Sequence, residues 1–291
     1  MKTWMLVDCN YLAWRAYHAI GPLSHNGKST SVCFGVLRDL EGLINLHSPA
    51  RTVLAFDSPA KSLRAELYPP YKSGRRNRVV PESEREMLRQ FYDELGRFER
   101  EILPAAGFRN VISLPGYEAD DILAEIAGTV PEDVTAVIVS ADGDLLQCLG
   151  ERVILYNPAK KKAVTAESFR LQWGIGPEQW AEVKAIAGCS TDDVPGVRGV
   201  GELTAARWVA GTLPRHYATY AAILVASELI ERNRPLVTLP FPGCRIPELR
   251  GDDVSTPSLA KVRADLGIRI RRSSAPPSPS TSTSDVGGFF K

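Results

Sequence analysis

Residues 115–124 read PGYEADDILA and gather three acids where a short apolar run gives way to a helical pattern. The run before them, residues 111–114, is rich in β-branched residues and too short for a buried helix, so it predicts a strand. Helical spacing follows over about 118–130, and helix starts favour acids. The stretch therefore predicts a strand, a turn and a helix. The acids at this turn are Glu118, Asp120 and Asp121.

Three other short apolar runs, at residues 4–7, 52–56 and 136–139, are each followed by acids. These acids are Asp8, Asp57, Asp142 and Asp144. Helical patterns lie between the runs, at roughly 10–20, 30–47, 82–105 and 118–130. Alternating strands and helices predict an α/β fold with a mostly parallel central sheet flanked by helices. Functional crevices in such sheets lie beyond the carboxyl ends of the strands, so all seven acids are expected at one edge.

Any one of these acids is ordinarily a turn or cap residue, but seven together would repel each other unless cations neutralise them. No Cys/His cluster accompanies them, and the histidines fall outside the acidic stretches. All-oxygen ligation favours Mg²⁺ or Mn²⁺ over Zn²⁺. Two such ions about 4 Å apart are the usual device for in-line displacement at phosphorus. The pattern therefore predicts a two-ion centre.

The composition is that of an ordinary soluble globular protein, with 44% hydrophobic and 24% charged residues and a net charge of +1. No apolar run is long enough to span a bilayer, and the first residues lack the pattern of a secretory signal. The five cysteines are scattered without a C-x-x-C pair, which argues against a disulfide framework or a zinc knuckle. We expect a cytoplasmic protein with reduced thiols.

Charge is segregated along the chain. Residues 61–78 carry six Lys or Arg and one Glu, whereas residues 116–144 carry eight acids and no Lys or Arg. A basic stretch with interleaved aromatic residues is typical of a funnel for single-stranded nucleic acid. A solvated basic loop is the alternative.

A glycine-rich turn, GVRGVG, occupies residues 196–201 between helical patterns at about 177–187 and 202–211. Such a turn brings backbone N–H groups and a helix N-terminus close to an anion. It is typical of a helix-hairpin-helix that binds DNA phosphates without base readout. An ordinary turn between two helices is the alternative.

Several motifs together resemble the 5′-nuclease superfamily, the flap endonucleases and 5′-3′ exonucleases that occur free-standing in phages and bacteria and as the N-terminal domain of bacterial DNA polymerase I. The motifs, in order, are MLVDCNYLAWRAYHA, TSVCFGVLRDL, VLAFDS, YPPYKSGRR, PGYEADDILA, VIVSADGDLLQCL and DDVPGVRGVGELTA. The resemblance implies a PIN-like nuclease core at 1–150 that includes a basic arch segment (residues 61–105). It also implies a helical region at 151–272 with the helix-hairpin-helix at 187–212. A Ser/Pro-rich stretch at 273–291 reads as a disordered tail.

The resemblance also implies roles for individual residues. The first-metal ligands would be Asp8, Asp57, Glu118 and Asp120, and those around the second would be Asp121, Asp142, Asp144 and Asp192. Lys72 and Arg75 would act at the scissile phosphate, and Tyr71 would stack on an unpaired base. The DNA contacts would include Arg76, Arg78, Gly196, Arg198, Gly199 and Gly201, with K⁺ at the hairpin.

The sequence departs from the family pattern at Cys189, where an Asp is usual. A neutral thiol is a poor ligand for Mg²⁺, so the second ion is expected to bind weakly. Whether the adjacent Asp193 takes the place of this ligand is left open by the sequence. The extra arginine of the pair Arg75 and Arg76 leaves the choice of the catalytic arginine open.

The implied function is a structure-specific 5′-nuclease that leaves 5′-phosphate, acting on DNA with a 5′ flap, a fork or a free 5′ end, and on RNA paired to DNA. A monomer in a bacterial or phage-infected cytosol is expected, with no membrane association. A sliding clamp or a single-strand-binding protein is a candidate partner of the Phe289-Phe290 tip. Two alternatives stay open: a DNA-structure-binding protein with an impaired second metal site, and a metal-dependent phosphatase or ribonuclease.

Overall fold

A computed structural model describes residues 1–268; the predicted tail at 273–291 lies outside them. Within the described residues, one six-stranded sheet has the order β5-β4-β1-β6-β7-β8. Its pairs are parallel except β7 with β8. The fold is therefore the predicted α/β fold with a mostly parallel sheet. The strands are β1 (Lys2–Asp8), β2 (Ser24–His25), β3 (Lys28–Ser29), β4 (Arg51–Ala55), β5 (Asn110–Ile112), β6 (Val134–Val139), β7 (Val153–Asn157), β8 (Lys162–Val164), β9 (Gly188–Cys189) and β10 (Val194–Pro195).

Helices cover both faces of the sheet. They are α1 (Cys9–Ala19), α2 (Ser31–His47), α3 (Leu63–Leu67), α4 (Ser73–Arg76), α5 (Glu82–Arg97), α6 (Leu103–Ala106), α7 (Ala119–Gly128), α8 (Ala166–Trp173), α9 (Trp180–Ala187), α10 (Glu202–Val209), α11 (Ala218–Leu224), α12 (Ser227–Val237) and α13 (Thr256–Asp265). Short 3₁₀ turns lie at Asp144–Cys148, Pro177–Gln179 and Ser190–Asp192. Across residues 1–268, no helix combines the length and apolarity needed to cross a membrane.

The order of the strands places the functional edge. β1 lies between β4 and β6, with Asp8 opposite Ala55 and Val7 opposite Val139. Strands added after β1 lie on both of its sides, so the strand order reverses there. A crevice opens at such a reversal, beyond the carboxyl ends of the strands. Asp8 stands at that point.

Alternation along β1 divides the core in two. Leu6 packs in one cluster with Ile122 of α7 and Trp180 of α9, whereas Met5 and Val7 pack in the other with helices α1, α2 and α5. Successive side chains of a strand point to opposite faces, so a strand covered on both faces is apolar throughout. The run Met5 to Val7 that predicted this strand is apolar for that reason.

The structure corrects the predicted start of a helical region at residue 151. Strands β7 and β8 continue the central sheet to Val164, and the helices begin only with α8. β8 is an edge strand of only three residues with an exposed Lys162; short strands and an edge lysine are ways in which sheets protect their edges, and so short a strand carries little sequence signal.

The predicted helix at 82–105 is interrupted. α5 ends at Arg97, a π-helical turn occupies Phe98–Ile102, and α6 follows. Pro104 lacks an N–H, and its ring crowds the carbonyl of Arg100 in a regular helix. The wider π turn ahead of Pro104 relieves that crowding.

Candidate metal centre

Asp8 links the ends of two adjacent strands. Its Oδ1 accepts a hydrogen bond from the Tyr11 N–H (2.9 Å) and caps α1, and its Oδ2 accepts one from Ser140 Oγ (2.9 Å), beyond β6. Burial, and next the charge of Asp57, raise the pKa of Asp8 to about 7. The carboxylate is thus held by hydrogen bonds but has no cation beside it.

Asp57 and Asp120, like Asp8, are carboxyls with a raised pKa. Asp57 Oδ1 accepts from the Ala119 N–H (2.9 Å), at the start of α7. Oδ1 of Asp120 is buried and has no hydrogen-bond partner among the described residues. Desolvation raises the pKa of both carboxyls, and the charge of Glu118 adds to the effect at Asp120.

Among the described side chains, which exclude that of Arg76, no lysine or arginine forms an ion pair with Asp8, Asp57 or Asp120. Asp8 and Asp120 are half-buried and Asp57 is exposed, and a partly desolvated carboxylate that lacks an ion-paired cation is costly unless it is protonated or binds a metal ion. Carboxylate oxygens are the donors that Mg²⁺ and Mn²⁺ select. The three residues therefore fit a hard divalent ion, as the sequence predicted.

Glu118 is compensated by the protein itself. Its Oε2 accepts from Tyr71 Oη (2.9 Å) and from Lys72 Nζ (2.8 Å). Burial alone would lower the pKa of Lys72, but the charges of Glu118 and Asp192 raise it, so the ammonium stays charged. Tyr71 is only 2% exposed, and burial and Glu118 raise its pKa. The ring predicted to stack on a base is instead packed in the core, where it positions Glu118.

Asp121 faces away from the cleft, contrary to the prediction that it surrounds a second ion. It is fully buried, and its two oxygens accept from Nη1 and Nη2 of Arg64, both at 2.7 Å. Oδ1 also accepts from the Phe241 N–H (2.7 Å), and Oδ2 from the Glu118 N–H (3.1 Å). Both carboxylate oxygens of Asp121 are thus occupied by hydrogen bonds within the protein. The Glu118-x-x-Asp121 spacing is that of a capping box, a signal that could have indicated this role.

Arg64, which belongs to the basic stretch 61–78 predicted to form a funnel for single-stranded nucleic acid, is 2% exposed. Its Nε and Nη2 donate to the carbonyls of Leu236 (3.0 Å) and Thr238 (3.1 Å), and its pKa is raised by Asp121 although burial opposes the charge. The guanidinium joins α3, α7 and the segment after α12. No signal in the sequence marks it as buried.

The second carboxylate cluster contains Asp142, Asp144 and Asp192 together with Cys189. The ligand atoms of Asp144, Cys189 and Asp192 all lie within 4.8 Å of one another. The Asp142 Oδ1 accepts from the Asp144 N–H (2.8 Å), and the indole N–H of Trp180 donates to the Gly143 carbonyl (2.8 Å). The loop that carries two of the acids is therefore anchored to α9.

Lys184 of α9 is a residue of this cluster that the sequence analysis missed. Its Nζ lies 2.8 Å from Asp144 Oδ1 and 3.0 Å from Glu202 Oε1. Burial raises the pKa of Asp144, with a further contribution from Asp142 and against the opposing charge of Lys184. The sequence shows only a lysine between Val183 and Ala185, and the burial of this lysine became visible with the tertiary structure.

The start of the arch segment is attached to the second cluster. The Lys72 N–H donates to the Asp192 carbonyl (2.8 Å), and the Gly74 N–H donates to Asp193 Oδ2 (2.8 Å). Arg75 Nη2 lies 3.3 Å from Asp192 Oδ1. Asp193 thus fixes the backbone near Lys72. It is not directed toward Cys189, the position where the family usually has an Asp. Its left-handed backbone (φ 56°) is one that Asp tolerates.

Of the other predicted DNA contacts, Arg78 pairs with Glu84 (3.0 Å), and the side chain of Arg76 lies outside what the structure describes. Gly199 has a positive φ of 78° and open space at its Cβ position. A Cβ on Gly196 would collide with the Ala187 carbonyl, so this glycine serves close backbone packing. Arg198 is exposed, and Gly201 caps α10. No contact in the structure bears on K⁺ at the hairpin.

A cleft of about 940 Å³ opens beside the carboxylates. Its wall includes Asp57, Lys72 and Arg75, and the aromatic residues Trp14 and Tyr92. Acids, cations and rings in one cleft suit a polyanion with bases attached.

Residues 3–174 match the family model described as "5'-3' exonuclease, N-terminal resolvase-like domain". A 5′-3′ exonuclease of Aquifex aeolicus (strain VF5) is 33% identical over 237 residues, which cover 81% of this chain and 76% of that protein. The chain belongs to the 5′-3′ exonuclease family. It is accordingly a metal-dependent 5′-nuclease, and the carboxylate cleft is its candidate catalytic centre.

One similar protein is much longer than this chain, and similar solved structures are of about its length. The thermostable DNA polymerase I of Thermus aquaticus is 30% identical over 272 residues, which cover 91% of this chain but only 29% of the polymerase. Among solved structures, a bacteriophage T5 protein co-crystallised with metal ions superposes with a TM-score of 0.70 at 22% identity, covering 91% of this chain and 98% of that one. The T5 flap endonuclease in a complex with DNA and metal ions gives a TM-score of 0.67. These likenesses establish the PIN-like nuclease fold.

Proposed function

We propose that this nuclease hydrolyses DNA phosphodiesters at 5′ flaps, forks and free 5′ ends, leaving 5′-phosphate. The observation that carries the proposal is the group of acids Asp8, Asp57 and Asp120, none of which is ion-paired among the described side chains. Asp57 lines a cleft that also presents Lys72 and Arg75. An excess of carboxylate fits divalent cations, and the neighbouring basic groups fit the phosphates of the substrate.

Divalent ions at this centre would neutralise charge on the phosphoryl oxygens and ease deprotonation of the attacking water. Asp8, Asp57 and Asp120 would hold the first ion, while Asp144 and Asp192 contribute to the second. Lys72 and Arg75 would stabilise charge that develops on the transferred phosphate. Their charges are held near the cleft by Glu118 and Asp192, so they are already in place before DNA binds.

The hairpin between α9 and α10 would hold the duplex by its phosphates. Arg198 and Gly199 are exposed at its turn, and the backbone there leaves room for a phosphate to approach. Such contacts carry no base information, so recognition would depend on the shape of the DNA. Action on RNA paired to DNA, K⁺ at the hairpin, a clamp or single-strand-binding partner, the monomeric state and a cytosolic location remain predictions.

The alternative of a binding protein without efficient chemistry rested on Cys189. Family membership favours the nuclease, and the first-metal carboxylates are all present. A small-molecule phosphatase would need neither the hairpin nor the basic arch segment.

The test is cleavage of a 5′-labelled flap DNA in Mg²⁺, Mn²⁺ or EDTA. Asp120→Asn should lower the cleavage rate at least about 100-fold, because it removes a negative charge that only a metal ion can use. Asp133→Asn is the matched control, since Asp133 forms an exposed pair with Lys2, and should cleave as the wild type does. Absence of metal-dependent cleavage in the wild type, or full activity of Asp120→Asn, would contradict the proposal.

A further inference from the structure

The second carboxylate cluster includes a sulfur donor. Sγ of Cys189 and carboxylate oxygens of Asp144 and Asp192 lie close enough together for small side-chain rotations to direct all three at one ion. Three protein donors plus one position left for water or a substrate oxygen make the usual coordination of a catalytic zinc ion. Mg²⁺ instead selects oxygen donors in octahedral geometry.

The charges at this cluster also disfavour a hard ion. Lys184 compensates Asp144, and Arg75 lies beside Asp192. Cys189 is a free thiol at a position where a carboxylate would add negative charge. The cluster is therefore less negative than an all-carboxylate site, although Asp142 has no ion-paired cation among the described side chains. An ion with affinity for sulfur gains a metal–thiolate bond on displacing the thiol proton, and Mg²⁺ gains no comparable bond.

Lys184 has a second carboxylate to pair with if Asp144 binds a metal ion. Its Nζ already lies 3.0 Å from Glu202 Oε1, so the ammonium keeps a partner if Asp144 is withdrawn. The free-energy cost of moving the Lys184 ammonium away from Asp144 is therefore small.

We propose that Asp144, Cys189 and Asp192 bind a thiophilic divalent cation, Zn²⁺ in preference to Mg²⁺, while the all-oxygen cluster of Asp8, Asp57 and Asp120 binds the hard ion. The inference rests on the proposed function in treating the two clusters as separate cation sites of one centre. It makes the nuclease a mixed-metal protein and assigns Cys189 as a metal ligand.

The experiment is a titration of the full chain with Cd²⁺, without added thiol reductant, followed by ultraviolet absorption. Cadmium–thiolate coordination produces a charge-transfer band that oxygen ligation does not. The band is expected in the wild type at one equivalent. It should be absent in Cys189→Ser and Cys189→Asp and retained in Cys148→Ser, the control at another half-buried free thiol. Circular dichroism of each variant establishes that it is folded.

A chelator competition with Zn²⁺ gives the affinity. Cys189→Ser should weaken Zn²⁺ binding at least tenfold, because removing an outer-shell partner alone typically costs 10- to 100-fold. Cys189→Asp should instead lower the Mg²⁺ concentration needed for flap cleavage. A band that survives in Cys189→Ser, or no band in the wild type, overturns the inference even if Mg²⁺ supports cleavage. A Cys189-dependent band without cleavage under any metal would overturn the proposed function and leave the zinc site standing.

Discussion

The replacement Asp121→Asn separates a structural role for this carboxylate from a role as a metal ligand. In the structure, Asp121 accepts four hydrogen bonds, two of them from Arg64. An asparagine of the same size keeps one acceptor oxygen and turns the other into an NH₂ group. That group would face a donor, either Arg64 or a backbone N–H, and the guanidinium would lose its nearest counter-charge, keeping only Glu118 Oε2 at 3.8 Å.

The expected loss of stability is large. Breaking a buried ion pair by neutralising one partner costs about 3–5 kcal/mol, because it leaves the other charge buried and uncompensated. At roughly 2 °C per kcal/mol for a chain of this size, the melting temperature should fall by about 6–10 °C. Removing both partners, as in Arg64→Leu with Asp121→Leu, should cost less than the sum of the two single replacements, since they share one interaction.

Urea denaturation of the full chain, followed by circular dichroism, measures this loss. Glu125→Gln is the matched control, since Glu125 lies in the same helix, is partly exposed and forms no ion pair among the described residues. It should change the free energy of unfolding by less than about 0.5 kcal/mol. Mn²⁺ affinity of folded Asp121→Asn, measured by electron paramagnetic resonance, should fall by no more than the roughly 10- to 100-fold that is typical of a residue that supports a ligand without binding the metal ion.

The opposite pair of results would refute the reasoning. If Asp121→Asn unfolds at the urea concentration of the wild type and loses Mn²⁺ affinity more than about 100-fold, Asp121 is a ligand, as the family resemblance implied. The hydrogen-bonded role seen here would then not be its role in the metal-bound protein.

Three further perturbations test other parts of the site. Asp193→Gly keeps the left-handed backbone but removes the acceptor for the Gly74 N–H, and flap affinity by fluorescence anisotropy should fall about fivefold with no change in Mn²⁺ affinity. Trp180→Phe removes the hydrogen bond to the Gly143 carbonyl and should cost about 1–2 kcal/mol in urea denaturation; no loss would show that the loop does not depend on it. The pKa of Asp8 is raised from 3.8 to about 7, so the folded state holds this proton more tightly, and the free energy of unfolding in EDTA should fall by up to about 4 kcal/mol as the pH rises from about 4 to about 7. Thermal melting against pH checks this: Asp8→Asn should flatten the curve, and an equally steep curve in that variant would contradict it.

The sequence by itself determined the sheet and the edge at which the chemistry lies. Asp8, Asp57 and Asp142 each follow an apolar run that became a parallel strand, and parallel strands end at a common edge. That inference needs only the local pattern and the geometry of a sheet. The sequence also shows directly that the second cluster contains the sulfur of Cys189, because this depends only on the residue type at one position.

Tertiary structure alone decided which of these side chains face the cleft. Asp120 and Asp121 are adjacent in sequence but have different surroundings. Oδ1 of Asp120 has no hydrogen-bond partner among the described residues, whereas Asp121 pairs with Arg64, which is 57 residues away. Tyr71 is buried and Lys184 reaches Asp144 for the same reason. Each outcome depends on how distant elements pack and on which buried charge finds a partner there. Such pairing has no signature in local sequence, because its energy arises only when packing removes water from both groups.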